Sequence, residues 1–210
     1  MEVLETIPAF LVAVVLISAS PGPAMALIFR RAALRGTRAA VPTVLGLEAG
    51  IYLWALAAGA GLAALVAASE AAYLVLRVVG AVVLIALGLR AWLAAWRDRG
   101  GDEQTPALRG GSRRGAFAEG LLVQLANPKA AIFMFAFYPQ FVPHDGPVLL
   151  YTAMLALLQV SVETGLYLCL ATAIGRASGW FRRPRIRRRL EAVSGTVLVA
   201  LGARVAASSR

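Results

Sequence analysis

The chain has 210 residues, 60% of them hydrophobic and only 15% charged, whereas a soluble domain is usually nearer half apolar. That composition leaves no room for a sizeable soluble domain. The net charge of +10 sits in short basic segments between apolar runs, the pattern of membrane loops and not of a nucleic-acid surface. A single Cys169 and a single His144 supply neither a disulfide framework nor a His/Cys metal motif.

In chain order, six apolar spans are predicted at 7–29, 39–67, 72–96, 117–142, 147–175 and 190–207, each near the roughly 20 residues that cross a bilayer. The start, Met1-Glu2-Val3-Leu4-Glu5, carries two acids and no base, unlike a secretory signal. The run from Ile7 to Phe29 is therefore read as the first helix of the mature protein. Ser20-Pro21-Gly22-Pro23 breaks it. Span 2 carries Glu48 and the step Gly46-x-x-x-Gly50, which lets helix backbones approach closely. Span 4 is broken by Ala126-Asn127-Pro128-Lys129, and span 5 carries Glu163. Tyr52 and Gln159 lie one helical turn from Glu48 and Glu163.

Arginine sets the expected orientation. The connections 30–38, 97–116 and 176–189 hold sixteen basic residues, and the short connections around Ser69 and around His144 hold none. The basic connections are expected in the cytoplasm, with both termini outside. The Gly-, Pro- and charge-rich stretch 97–116 reads as a flexible linker. It divides a single transporter-like domain, 1–210, into repeat one (1–96) and repeat two (117–210), each of three spans. Three is odd, so the second repeat crosses in the opposite sense. The predicted fold is an all-α integral membrane protein built of two inverted three-helix repeats.

The two breaks fall at corresponding places. Proline removes a backbone donor, and in a bilayer the freed groups survive where they are buried or line a wet cavity. Paired interruptions of this kind point to a substrate site. Glu48 lies about 13 Å and Lys129 about 18 Å into their spans at the helical rise, and Glu163 lies in the middle third of its own. Ionisable groups at such depth are costly and mark function. Lys129 is the one lysine against twenty arginines, and a lysine can release its proton in an apolar setting where arginine cannot. It could bind a carboxylate, carry a coupling proton, or form an ion pair with Glu48 or Glu163. The two glutamates could accept an ammonium group or a proton, or be protonated carboxyls bonded between helices.

With these residues in place, the chain resembles the LysE/RhtB family of amino-acid exporters. The resemblance rests on Pro21-Gly22-Pro23, the basic connection with Gly36, and Gly46-x-x-x-Gly50. It rests further on Phe117-x-x-Gly120-Leu121-Leu122, Asn127-Pro128-Lys129-Ala130-Ala131 and Pro139-Gln140-Phe141-Val142. It implies a bacterial inner-membrane, multi-pass permease, not an enzyme. Its expected partners are an amino-acid substrate, protons and the bilayer, with a homo-oligomer left open, and no cofactor, metal or nucleic acid is expected. The implied site is Pro21, Gly22, Pro23, Asn127, Pro128 and Lys129, to which the buried charges add Glu48 and Glu163. Some exporters of basic amino acids in the wider family are thought to use an aspartate pair in the membrane. No aspartate lies in any span here, which favours a neutral, homoserine- or threonine-like substrate. A divalent-metal exporter would want His, Cys or Asp clusters, and a non-transporting scaffold would not need paired breaks.

Overall fold

The computed structural model describes residues 2–20, 22–97, 112–143 and 146–181, and beyond them Arg188, Arg189, Ala192, Val193, Thr196, Val199, Ala200 and Ala203. Among these residues every regular element is helical. They are α1 (Glu2–Ser18), α2 (Pro23–Arg35), α3 (Thr37–Ala68), α4 (Glu70–Arg97), α5 (Arg113–Leu125), α6 (Pro128–Phe137), a 3-10 turn at Tyr138–Gln140, and α7 (Val148–Phe181). Pro21, most of the linker, His144 and much of the span expected at 190–207 lie outside the described residues. The described members of that last span are helical. The indole N–H of Trp92 on α4 donates to the Ala192 carbonyl at 3.0 Å and to Thr196 Oγ1 at 3.1 Å.

Among the described residues two helices are long and apolar enough to cross a membrane alone, over Thr37–Ala64 of α3 and Val148–Ala173 of α7. The predicted breaks are real bends. The α1–α2 pair turns by 61° and the α5–α6 pair by 63°, and if each pair is one span the count reaches four. Within α4 the apolar stretch is the shorter Val78–Arg90.

The first basic connection differs from expectation. It is not a loop over 30–38, because α2 continues to Arg35 and α3 starts at Thr37. Gly36 alone makes the turn, with φ at 81° and its N–H donating to the Ala32 carbonyl. That left-handed conformation suits glycine. As a result Arg31 is not a loop residue. It is buried inside α2 and forms an ion pair with Glu119 of α5, which is also buried.

Helix α3 is the spine, packing along α5 and α7 and touching α2, α4 and α6. Its approach to α5 is backbone to backbone. A Cβ on Gly46 would sit 2.0 Å from the Phe117 carbonyl oxygen, and one on Gly120 would sit 2.3 Å from that of Thr43. The Gly46 step predicted for close packing makes this contact, with Gly120 as its partner. At one end of the bundle an aromatic cluster fills the core: Phe137 lies 5.2 Å from Phe10, 4.4 Å from Phe133 and 4.6 Å from Phe141 between ring centroids. Val12, Leu45, Leu53, Leu122 and Met154 point outward, an apolar surface suited to lipid.

Candidate functional site

At the first break α1 ends with Ser18, and the Ser20 N–H still reaches back to the Ile17 carbonyl at 3.1 Å. Gly22 then stands in extended conformation as the residue before α2, with Pro23 opening the helix and no side-chain cap. The first N–H groups of a helix have no intrahelical acceptor, and glycine has no side chain to offer them one.

At the second break α5 ends at Leu125, and Pro128 opens α6. Asn127 caps that helix, its Oδ1 accepting from the Lys129 N–H at 3.1 Å. The Asn127 carbonyl accepts from the N–H groups of Ala130 and Ala131. The start of α6 is therefore already satisfied.

The two breaks meet. Lys129 Nζ donates to Ser20 Oγ at 2.6 Å, across 109 positions of sequence. Around this contact lies a cavity of about 60 Å³, room for several waters at roughly 10–15 Å³ each by the same measure. Ser18, Ser20 and Gly22 line it from the first break, and Gln124, Asn127 and Lys129 from the second. Gln159, Glu163 and Tyr167 of α7 also line it, with Ile17, Met25, Ile51, Phe133 and Met134 as its apolar lining. Lys129 itself is exposed, not sealed among the helices as its depth in sequence suggested.

The same cavity also holds a carboxyl. Glu163 is buried, with its Oε1 accepting from Gln159 Nε2 at 2.8 Å, and the Ser18 side chain also hydrogen-bonds it. Tyr138 in turn donates its hydroxyl to Gln159 Oε1 at 2.9 Å. Tyr167 donates to the Ser18 carbonyl at 3.3 Å. This network fixes the carboxyl at the cavity wall. Glu48 is 1% exposed and within electrostatic reach of Glu163, but it is not a lining residue. Neither of its carboxyl oxygens has a hydrogen-bond partner among the described residues.

The predicted residues thus divide. Gly22, Asn127, Lys129 and Glu163 share one cavity, Pro23 and Pro128 shape its two helix starts, and Glu48 is not among its lining residues. Gln159 joins the wall, as its spacing from Glu163 suggested, while Tyr52 packs against the apolar core. Sequence reasoning missed Ser20, Gln124 and Tyr167, and gave Ser18 no part in the site. The signal for Gln124 was available: it is the lone polar side chain in the run 120–126, in the last turn before the predicted break.

One cavity between two broken helices thus holds both a lysine and a carboxyl. The profile of the LysE type translocator family matches residues 15–209. The chain belongs to that family. LysE-type proteins are membrane-embedded translocators, not enzymes. Among its relatives is a "Homoserine/homoserine lactone efflux protein" of Salmonella typhimurium, 29% identical over 95% of this chain and 95% of that protein. An "Uncharacterized membrane protein" of Vibrio cholerae is 27% identical over 92% and 93% of the two chains. A "Leucine efflux protein" of Salmonella choleraesuis is 27% identical over 65% of each. No solved structure matches the chain.

Proposed function

We propose that this LysE-type translocator exports a neutral amino acid, homoserine- or threonine-like, across the bacterial inner membrane, driven by the proton motive force. One observation carries the proposal: the contact of Lys129 with Ser20 unites two helix breaks around a cavity that Glu163 also lines. A zwitterion needs one partner for its carboxylate and one for its ammonium group. The uncapped start of α2, with its positive helix end, and the Lys129 ammonium suit the carboxylate. Glu163 suits the ammonium, and Glu48 can hold a proton. The relative named for homoserine efflux aligns over more of both chains than the one named for leucine efflux, which supports the hydroxyl-bearing class.

The architecture that goes with this mechanism has six spans in two inverted repeats, 1–96 and 117–210, joined by the cytoplasmic linker 97–116, with both termini outside. Its support is the distribution of basic residues, fifteen besides the buried Arg31 in the three long connections against none in the two short ones, and the two bends of nearly equal angle. Single cysteines at Gly101 and Asp145 should label from opposite sides, and labelling from the same side overturns the arrangement.

The deciding measurement is efflux of labelled homoserine from preloaded vesicles containing the purified protein, under an imposed pH gradient. Efflux that rises with the gradient and collapses with a protonophore is the expected result. Efflux indifferent to the gradient removes the coupling, and no efflux of any neutral amino acid removes the substrate class.

A further inference from the structure

We infer that Gln124 is a specificity-determining residue of the cavity, accepting a hydrogen bond from the side-chain hydroxyl of the substrate. The inference rests on the amino-acid export proposed above and goes past it by assigning a residue to the choice among neutral amino acids.

Gln124 lies in the last turn of α5, just before the second break, and lines the cavity. Its residue is 4% exposed, although it belongs to a helix whose neighbouring Leu122 is 66% exposed. The bundle thus turns a glutamine inward and a leucine outward. Its side-chain oxygen is buried and has no hydrogen-bond partner among the described residues. Buried polar groups are nearly always partnered. An orphan acceptor on a residue that lines a cavity is a group whose partner a ligand can supply once the side chain turns toward it.

The side chain is also held in place. A Cβ on Gly50 would lie 2.7 Å from Gln124 Cβ and 3.0 Å from its Cγ. Only glycine at that position of α3 lets the glutamine stem lie where it does. One turn further along α3, the indole of Trp54 donates to the Gln124 main-chain carbonyl at 3.3 Å. A flexible amide that solvent alone satisfied would need no such seat.

Which donor of an amino acid it receives follows from its neighbours. The ammonium group has the better acceptor in Glu163, since a charged partner strengthens the hydrogen bond. The carboxylate has no donor to offer. The inference gives Gln124 the side-chain hydroxyl, since an acceptor left unpaired by an aliphatic substrate discriminates against it. The preferred class is a hydroxyl-bearing amino acid over its isostere lacking the hydroxyl.

The test is counterflow in vesicles with two isosteric pairs, homoserine against norvaline and threonine against valine. The wild-type protein should favour the hydroxyl member by about tenfold or more. Gln124→Met, close in volume and without the acceptor, should bring both ratios to near unity by losing the hydroxyl substrates and keeping the aliphatic ones. Gly50→Ala leaves the glutamine in the chain but displaces it, and should lower the same ratios. A ratio is insensitive to how much protein folds, so a merely structural role would reduce all four substrates together and overturn the inference. An equal loss of all four in Gln124→Met would likewise show that the amide serves the shared ammonium group. A wild-type protein that moves all four without preference also overturns it while leaving amino-acid export intact. A wild-type protein that moves none sinks the export proposal itself.

Discussion

The two helix breaks have the same opening and different caps. Each lower helix begins with a proline, Pro23 in α2 and Pro128 in α6, and each pair bends by just over 60°. Ahead of Pro128 stands Asn127, whose side chain accepts from the Lys129 N–H, so the α6 terminus is closed by its own chain. Ahead of Pro23 stands Gly22, and the α2 terminus has no side-chain cap. The second break then supplies through Lys129 what the first lacks, a cation beside an uncapped helix start. Likeness of sequence motif is thus not likeness of role. One break carries its own side-chain cap, and the other does not.

The largest expected effect comes from the tie between the two bent pairs. Arg31 of α2 and Glu119 of α5 are 1% and 8% exposed, and removing one partner of a buried pair costs about 3–5 kcal/mol. Arg31→Ala should lower the unfolding midpoint in detergent well below that of any variant at the breaks. The exchange of both residues, Arg31→Glu with Glu119→Arg, should recover part of the loss. An Arg31→Ala protein of wild-type stability would show that the breaks are held together without this pair.

Lys129→Ala should follow, in transport and not in stability. Loss of a hydrogen bond to a charged group is worth about 1.5–3 kcal/mol, so efflux should fall about ten- to a hundredfold with insertion and expression kept. Lys129→Arg keeps the charge but cannot release a proton at accessible pH. Partial efflux is the expected result for an anchoring role. A loss as deep as that of alanine, with substrate binding intact, would assign Lys129 to proton coupling instead. Wild-type efflux in Lys129→Ala would leave the breaks alone as the site.

The caps themselves give the sharper contrast. Asn127→Ala removes a helix cap and should cost about 0.5–2 kcal/mol of stability, read as a lower thermal midpoint with substrate preference unchanged. Gly22→Asn adds a cap where the structure has none. A Cβ there meets nothing nearer than the Ser20 carbonyl oxygen at 4.0 Å, so the change should fit, and stability should rise by no more than a few tenths of a kcal/mol. Efflux should nevertheless fall several-fold, because the new side chain competes for the N–H groups that the carboxylate would use. If Gly22→Asn transports normally while Asn127→Ala does not, the roles of the two breaks are reversed.

Much of the organisation was written locally. Long apolar runs can only be satisfied as helices in lipid, so the membrane class and most helix positions were legible from hydropathy alone. The breaks were legible because proline acts on its own backbone, within one turn. Gly46 and Gly50 were legible as a packing step for a similar reason, the absence of a Cβ being a local fact. What remained hidden depends on groups far apart in sequence. Arg31 read as a loop arginine until α2 proved to run through it and Glu119 proved to lie beside it, 88 positions away. Gln124 read as one polar residue in an apolar helix. Its place on the cavity wall depends on the face that α5 turns toward α3, and that face is set by the near contact of Gly46 with Phe117 and of Gly120 with Thr43. Glu48 and Glu163 looked alike by depth. Only helix packing decided that one carboxyl lines the cavity within a hydrogen-bond network and that the other is not among its lining residues and has no partner among the described residues. Sequence fixes what each residue can do with its own backbone and with lipid. Which side chains of different helices share one space is decided by how those helices rotate and cross, and that depends on contacts made by the whole bundle at once.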